Sequence, residues 1–312
     1  MRVLVSGING FVGQHLAHEL HRGGTELFGV GQQSEAAESI RPLLSGYAIC
    51  DLTDSESVAK LPLESMDAIV NLAGLAAIGL SFEKPITYMD VNVGVLSVLM
   101  KHIKRLNRED LRIVAISSGA VYAAQQRMPL KETSTTDSTS SPYAASKLAM
   151  EKVGLDSYAD GLNIVIARPF NHTGPGQGVG FIVPDLAQQL LRIETGESNK
   201  ILVGNLDAKR DYTDVRDIVR AYRLLLEKGV SGEIYNVCSG TARSGHDILG
   251  YLQEASGIDA KVEQDPNKLR PSDNPVIYGE HHKLTDDTGW QPSISIEQTI
   301  SAVIPYWRSR KQ

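Results

Sequence analysis

The chain has little of what marks a secreted, membrane-spanning or nucleic-acid-binding protein. Only 2 of its 312 residues are cysteines, Cys50 and Cys238. Two isolated thiols form no disulfide scaffold and, without Cys/His clustering, outline no metal site; they fit a reducing compartment. No stretch is apolar for long enough to span a bilayer, and the opening "MRVLVSG" enters a strand without a charged-then-apolar leader, so a cytoplasmic protein is expected. The formal net charge of -6 offers no basic footprint for nucleic acid or an anionic membrane.

What is present is the composition of a soluble globular protein, 42% apolar and 22% charged. The length allows one large α/β domain with a smaller one appended. Short apolar runs at 2–6, 26–30, 68–72, 113–117 and 163–167 alternate with helical periodicity at 13–22, 87–105 and 143–159. That alternation predicts a parallel sheet covered by helices on both faces. After Arg168 it loosens, and Gly and Pro crowd into "RPFNHTGPGQGVG", the composition of a loop-built site. A late strand at 233–237 is expected to return to the main sheet.

"VLVSGINGFVGQHL" places Gly7, Gly10 and Gly13 between a strand and a helix. Gly7 permits a tight turn, Gly10 lets the backbone approach a pyrophosphate, and Gly13 allows close contact of helix and strand, with the helix N-terminus facing the anion. The fold class predicted is therefore α/β, a Rossmann-type doubly wound parallel sheet with a smaller C-terminal substrate-binding domain. The dinucleotide-binding part covers 1–168 with a returning segment near 210–240, and the remainder of 169–312 holds substrate. At the end of the second strand an acid would suit the ribose of NAD and a base the 2′-phosphate of NADP. Gly31, Gln32 and Gln33 supply neither, so NADP and NAD are both admissible. Asp51 in "CDLTD" is placed to accept from the adenine amino group, and Ala73 and Gly74 in "NLAG" to let a ribose lie against the backbone. Each alone is equally a turn or cap element.

"AISSGAVYAA" puts Ser117 and Ser118 at the end of a buried strand, followed by Gly119 and Ala120, which are neither acid nor base. "SPYAASKLAME" carries Tyr143 and Lys147 four apart, on one face of a helix. A phenol of ordinary pKa about 10 is a poor acid or base at neutral pH, but an ammonium one turn away, with a nicotinamide cation when oxidised cofactor is present, favours the phenolate. Proton exchange with a hydroxyl or carbonyl becomes feasible.

In this order the motifs resemble those of the extended short-chain dehydrogenases/reductases over nearly the whole chain: residues 7–13, Asp51, "NLAG", Asn92 in "VNVG", Ser118, the Tyr143/Lys147 pair and "RPFN" from Arg168. The resemblance implies that Ser118 polarises a sugar carbonyl, Tyr143 is the acid/base and Lys147 holds the nicotinamide ribose, with Ser117 structural. It implies a cofactor site of Gly7, Asn9, Gly10, Phe11, Val12, Gly13, Asp51, Leu52, Leu72, Ala73, Gly74, Asn92, Tyr143, Lys147 and Phe170. In the second half, "RPFNHTGPGQ", "VGNLDAKRDYTDVRDIVRAY", "YNVCSG" and "DPNKLRPSDNPVIYGEHHKLTDDTGWQP" are similar to the GDP-mannose 4,6-dehydratase branch, above all to its GDP-4-keto-6-deoxy-D-mannose reductases. That implies a GDP-linked sugar held by Ser118, Tyr143, Asn171, Arg192, Arg210 and Arg270, guanidinium forks being suited to phosphate oxygens. It also implies a homodimer formed by the helices that start near Thr87 and Tyr143.

A 4,6-dehydratase must remove a C5 proton and expel the C6 hydroxyl, for which resembling dehydratases carry an acid/base pair directly after the active-site Ser or Thr. Gly119 and Ala120 occupy those positions, so elimination is not expected. Two reactions remain: reduction of the C4 keto group of a GDP-4-keto-6-deoxy-hexose by NAD(P)H, and 4-epimerisation with tightly held NAD. A non-catalytic dinucleotide-binding regulator would have no need of Ser118, Tyr143 and Lys147 together.

Overall fold

The apolar runs of the first half become one parallel sheet. The computed structural model describes residues 1–124, 126–268 and 274–310. Its strands β1 (Arg2–Ser6), β2 (Glu26–Gly31), β3 (Leu44–Ile49), β4 (Ala68–Asn71), β5 (Arg112–Ile116) and β6 (Ile164–Pro169) are all parallel. Both β4 and β6 are buried at every position, as strands covered on two faces must be. Successive residues of β1 feed different cores: Val3 and Val5 face one, Leu4 the other.

The first face is covered by α1 (Phe11–Arg22), whose Leu16 and Leu20 join that core. After two short helices, α2 (Ser55–Val58) and α3 (Ile78–Glu83), the second face is covered by α4 (Pro85–Arg105) and α5 (Pro142–Ala159) through Leu96, Leu99, Ile103 and Met150.

Beyond β6 the chain builds a second, smaller core. It comprises β7 (Asn171–Thr173), α6 (Ile182–Glu194), β8 (Lys200–Val203) and β9 (Lys209–Asp214), before α7 (Val215–Lys228) returns to the first face through Ile218, Tyr222 and Leu225. Strand β10 (Ile234–Val237) then pairs in parallel with β6, as predicted for the late strand. The completed 7-stranded sheet has the order β10-β6-β5-β4-β1-β2-β3.

The chain leaves again as β11 (Ala242–Ser244), α8 (Gly245–Ser256), β12 (Lys261–Gln264) and β13 (Val276–Ile277). Helix α9 (His282–Thr288) and the residues after it return to the large core, where Leu284 and Trp290 are fully buried and the Trp290 indole donates to the Asp217 carbonyl at 2.9 Å. Helix α10 (Ile296–Arg308) closes the small core with Ile300 and Ile304 against Leu190 of α6 and Leu252 of α8.

Strand order reverses between β1 and β4, so the connections leaving them diverge to opposite faces and open a crevice at the strand ends. The residues just past those ends are the glycine turn and "NLAG".

Candidate active site

The glycine turn is built for close approach. Gly7 has φ +67°, and a side chain there would lie 3.1 Å from the Ala73 amide of the facing loop. A Cβ on Gly13 would stand 2.5 Å from the Gly7 carbonyl oxygen. Gly10 is the N-cap of α1 and lends no side-chain hydrogen bond, so the first-turn N–H groups face the crevice mouth as an anion site, which fits a dinucleotide pyrophosphate. Asn9 braces the turn: its amide donates to Gln33 Oε1, the Glu35 carbonyl and the Tyr47 hydroxyl at 3.1, 3.0 and 3.2 Å, and its oxygen accepts from Ala37 N–H at 2.8 Å. The β2–β3 loop carries two carboxylates, Glu35 and Glu38, and one cation, Arg41, which pairs with Glu35 at 2.7 Å, both side chains being exposed. Half-buried Val12 leans on the large core, and Phe11 turns toward β7 and the glycines just past it. There its ring lies parallel to His172 at 6.2 Å and edge-on to His15 at 5.4 Å.

The opposite wall is tied down by polar side chains. Ser6 Oγ donates to Asn71 Oδ1 at 2.6 Å and accepts from Ala73 N–H at 3.0 Å. Buried Asn92 of α4 accepts from Leu75 N–H at 2.8 Å and donates to the Leu75 carbonyl and to Ser146 Oγ. Leu72 lies half-buried beside Ala73, and a Cβ on Gly74 would stand 2.7 Å from Asn92 Oδ1 and 3.6 Å from Lys147 Nζ. Asp51 Oδ1 accepts from Thr53 N–H and Oγ, closing its own turn, while Leu52 is buried in the second-face core.

Helix α5 starts on Ser141, whose Oγ accepts from Ala144 N–H, with Pro142 in the first turn. Tyr143 therefore sits at the helix mouth and Lys147 one turn on. The Tyr143 hydroxyl lies near Ser118, which follows the end of β5, and its ring meets Tyr88 edge-on at 6.3 Å. Burial pushes this phenol up to about 12, the Ser118 contact opposing it. Lys147 Nζ lies 6.0 Å from the ring centroid and donates to the Ile116 carbonyl at 2.8 Å. Desolvation is the largest influence on the phenol and favours its neutral form. Lys147 is itself buried and pushed down to about 8, with Glu151 opposing the shift.

The two positions after Ser118 are closed as well as empty of acid. A Cβ on Gly119 would stand 3.0 Å from the Phe170 ring, which also stacks on Tyr122 with centroids 6.0 Å apart. Phe170 is thus a wall of this corner, buried with Val121, Leu130 and Cys238.

Asn171 and Arg210 come together on one small sheet, since β7 pairs with β9. Asn171 is exposed; Arg210 Nη1 donates to the Lys209 and Asn274 carbonyls, both at 2.8 Å. Arg192 is exposed in the last turn of α6, about 15 Å along the axis from the loop that feeds the helix. Arg270 lies outside the described residues.

The sequence leaves several neighbours unassigned. Arg168 and Glu151 form a buried pair, Asn236 ties Tyr122 to the Leu130 carbonyl, and His172 donates from Nδ1 to the Phe170 carbonyl. Arg168 in the middle of the apolar run "IVIARPF" is the available signal, because a cation in a buried strand needs a partner. Among the described residues no group of His, Cys, Asp and Glu side chains is arranged to hold a metal ion.

A phosphate-ready helix at the switch point of a parallel sheet, facing Ser, Tyr and Lys across the crevice, defines the class as extended short-chain dehydrogenase/reductase. Over residues 4–303 the chain matches the GDP-mannose 4,6 dehydratase family model, and it belongs to that family. It is 34% identical to GDP-6-deoxy-D-mannose reductase of Pseudomonas aeruginosa, over 99% of this chain and 98% of the relative. It is 30% identical to GDP-6-deoxy-D-talose 4-dehydrogenase of Aggregatibacter actinomycetemcomitans, over 93% and 92%. Its structure is similar to that of RMD from Pseudomonas aeruginosa complexed with NADPH, with a TM-score of 0.86, 32% identity and 99% of each chain covered.

Proposed function

We propose that the protein is an NAD(P)H-dependent oxidoreductase that reduces the C4 keto group of a GDP-4-keto-6-deoxy-hexose, giving GDP-D-rhamnose or its C4 epimer. One observation carries the choice of reaction: Tyr143 is buried beside Ser118, its phenol pushed up by that burial, while Phe170 fills the space beside Gly119 where elimination would need a second acid/base set. The nicotinamide supplies the hydride. Tyr143 donates the proton to the C4 oxygen, and Ser118 Oγ hydrogen-bonds that oxygen as negative charge develops on it. Lys147 holds the nicotinamide ribose, beside Gly74 and Asn92, which shape the wall there. The α1 N-terminus and the turn at Gly7, Gly10 and Gly13 take the pyrophosphate, and Asn171, Arg192, Arg210 and Arg270 are assigned to the sugar nucleotide.

Purified protein mixed with GDP-4-keto-6-deoxymannose should consume reduced nicotinamide in step with formation of a GDP-deoxyhexose. Interconversion of sugars without net oxidation would replace this reading by an epimerase, and binding without turnover would refute both. Because Lys147 is held near 8 whereas Tyr143 keeps its proton to about 12, kcat/KM should fall as pH rises through about 8, where the ammonium loses its proton. A rate flat across that range would reject Lys147 as the ionising group.

The proposal extends to a homodimer in the cytoplasm. Phe82, Ile86 and Met89 are exposed apolar side chains on α3 and α4, at 61%, 74% and 39%. Ile86→Glu should therefore shift the protein from dimer to monomer in light scattering; an unchanged mass would remove this face as the interface. Cys50 and Cys238 are both unpaired and buried, in keeping with a reducing compartment, and among the described residues no helix is long and apolar enough to cross a membrane.

A further inference from the structure

One turn beyond Lys147 on α5, Glu151 is 3% exposed and faces Arg168 of β6, which is 4% exposed. The contact is two-pronged: Nε to Oε1 at 2.8 Å and Nη2 to Oε2 at 2.6 Å. A buried pair of this kind gains little for the core that two apolar side chains would not, because both charges are taken out of water. Its remaining bonds run to the machinery. Glu151 Oε1 also accepts from Ser117 Oγ, one residue before Ser118. Arg168 Nη1 donates to the Tyr122 hydroxyl at 3.0 Å and to the Glu132 carbonyl at 3.2 Å, and its guanidinium lies over the Tyr122 ring at 4.9 Å. The pair therefore grips both ends of the segment 117–122 that presents Ser118.

It also provides the charge that faces Lys147. From α5 the lysine sees Tyr143 and Glu151; from β5 it sees the Ile116 carbonyl; from α4 and the loop after β4 it sees neutral Asn92 and Gly74. Tyr88 of α4 meets Tyr143 rather than the ammonium.

We propose that Glu151 and Arg168 are positioning residues for the reduction: Glu151 sets a counter-charge behind the Lys147 ammonium and, through Ser117, fixes the strand end that carries Ser118. This rests on the roles given above to Ser118, Tyr143 and Lys147. Burial drives Lys147 toward the neutral amine and Glu151 opposes it, so the carboxylate's removal has a signature that a purely structural role lacks.

In Glu151→Gln, loss of the carboxylate and the now unbalanced Arg168 cation act in the same direction on Lys147. The alkaline fall in kcat/KM should move to lower pH by about one unit. If the variant loses thermal stability while that fall stays in place, the pair is structural and the proposal is overturned. Should Glu151→Gln not fold, Glu151→Asp keeps the charge on a shorter arm: turnover drops with the alkaline fall unmoved, and a shifted fall would count against the proposal. Ser117→Ala cuts only the tie to β5 and should lower kcat about tenfold, a fraction of what an ångström-scale misplacement costs. The cofactor dissociation constant should not change, and wild-type kcat in this variant would overturn the strand-end role. Tyr143→Phe, assayed alongside, separates the two levels. If it retains turnover, the assignment of the trio is wrong; if it is inactive while Glu151→Gln leaves the alkaline fall unmoved, only the positioning role is lost.

Discussion

Tyr143→Phe yields a folded, cofactor-binding protein whose turnover is lower by about 10²–10⁴, the usual contribution of a positioned proton donor. In barrier height that is about 3–5 kcal/mol. The size follows from how little else the hydroxyl does. The ring is fixed by burial and by its edge-on contact with Tyr88, neither of which involves the oxygen. Lys147 keeps its bond to the Ile116 carbonyl and its Glu151 counter-charge, so the ribose contact survives. Ser118 Oγ still accepts from Ala120 N–H at 3.1 Å, and the cost in stability is at most about 1 kcal/mol. Titration with reduced cofactor should therefore give a dissociation constant within a few-fold of wild type while substrate turnover collapses. Residual activity above about a tenth of wild type, or cofactor affinity that falls in parallel with kcat, would remove Tyr143 as the donor.

The contrast between Tyr143 and Glu151 shows which parts of this site sequence can express. Strand, glycine turn and helix at residues 2–22 are contiguous, and Tyr143 and Lys147 are one helical turn apart, so local spacing alone brings these groups together. Ser118 follows because it closes a recognisable buried strand. The pair behind them joins α5 to β6, and its extension from Tyr122 to Asn236 spans 114 residues, with no spacing rule to connect the two. Glu151 moreover lies on a helix buried on several faces, where a carboxylate reads at first as a solvated surface charge. The contact of Phe11 with His172 is hidden for the same reason: it depends on where β7 lies relative to α1. Sequence records the lysine beside Tyr143 but not the depth at which both groups lie, and that depth is what shifts the two side chains. The smaller core, built from short strands that return to β9 from either side, has too little periodicity to be traced before folding.

The second large effect is expected at Gly13. A Cβ built there falls 2.5 Å from the Gly7 carbonyl oxygen, 2.6 Å from the Ile8 carbonyl oxygen and 2.8 Å from its carbon. All three are backbone atoms of the turn, so no rotamer change relieves the clash. In Gly13→Val, α1 must back away from β1 or the turn must open, and either movement spoils the alignment of first-turn N–H groups with the pyrophosphate. Overpacking of this kind costs about 1–3 kcal/mol of stability. Misplacement by about 1 Å of groups that hold the cofactor costs about 10²-fold in activity. The variant should lose cofactor affinity and turnover together, the opposite of the split expected for Tyr143→Phe. Gly250→Ala on α8 is the matched control, since a Cβ there meets no atom within 4 Å. A helical glycine with open space around it should gain about 0.4–1 kcal/mol on becoming alanine, through the unfolded chain, with cofactor binding unchanged. If Gly13→Val binds reduced cofactor as wild type does, the turn after β1 is not where the pyrophosphate rests.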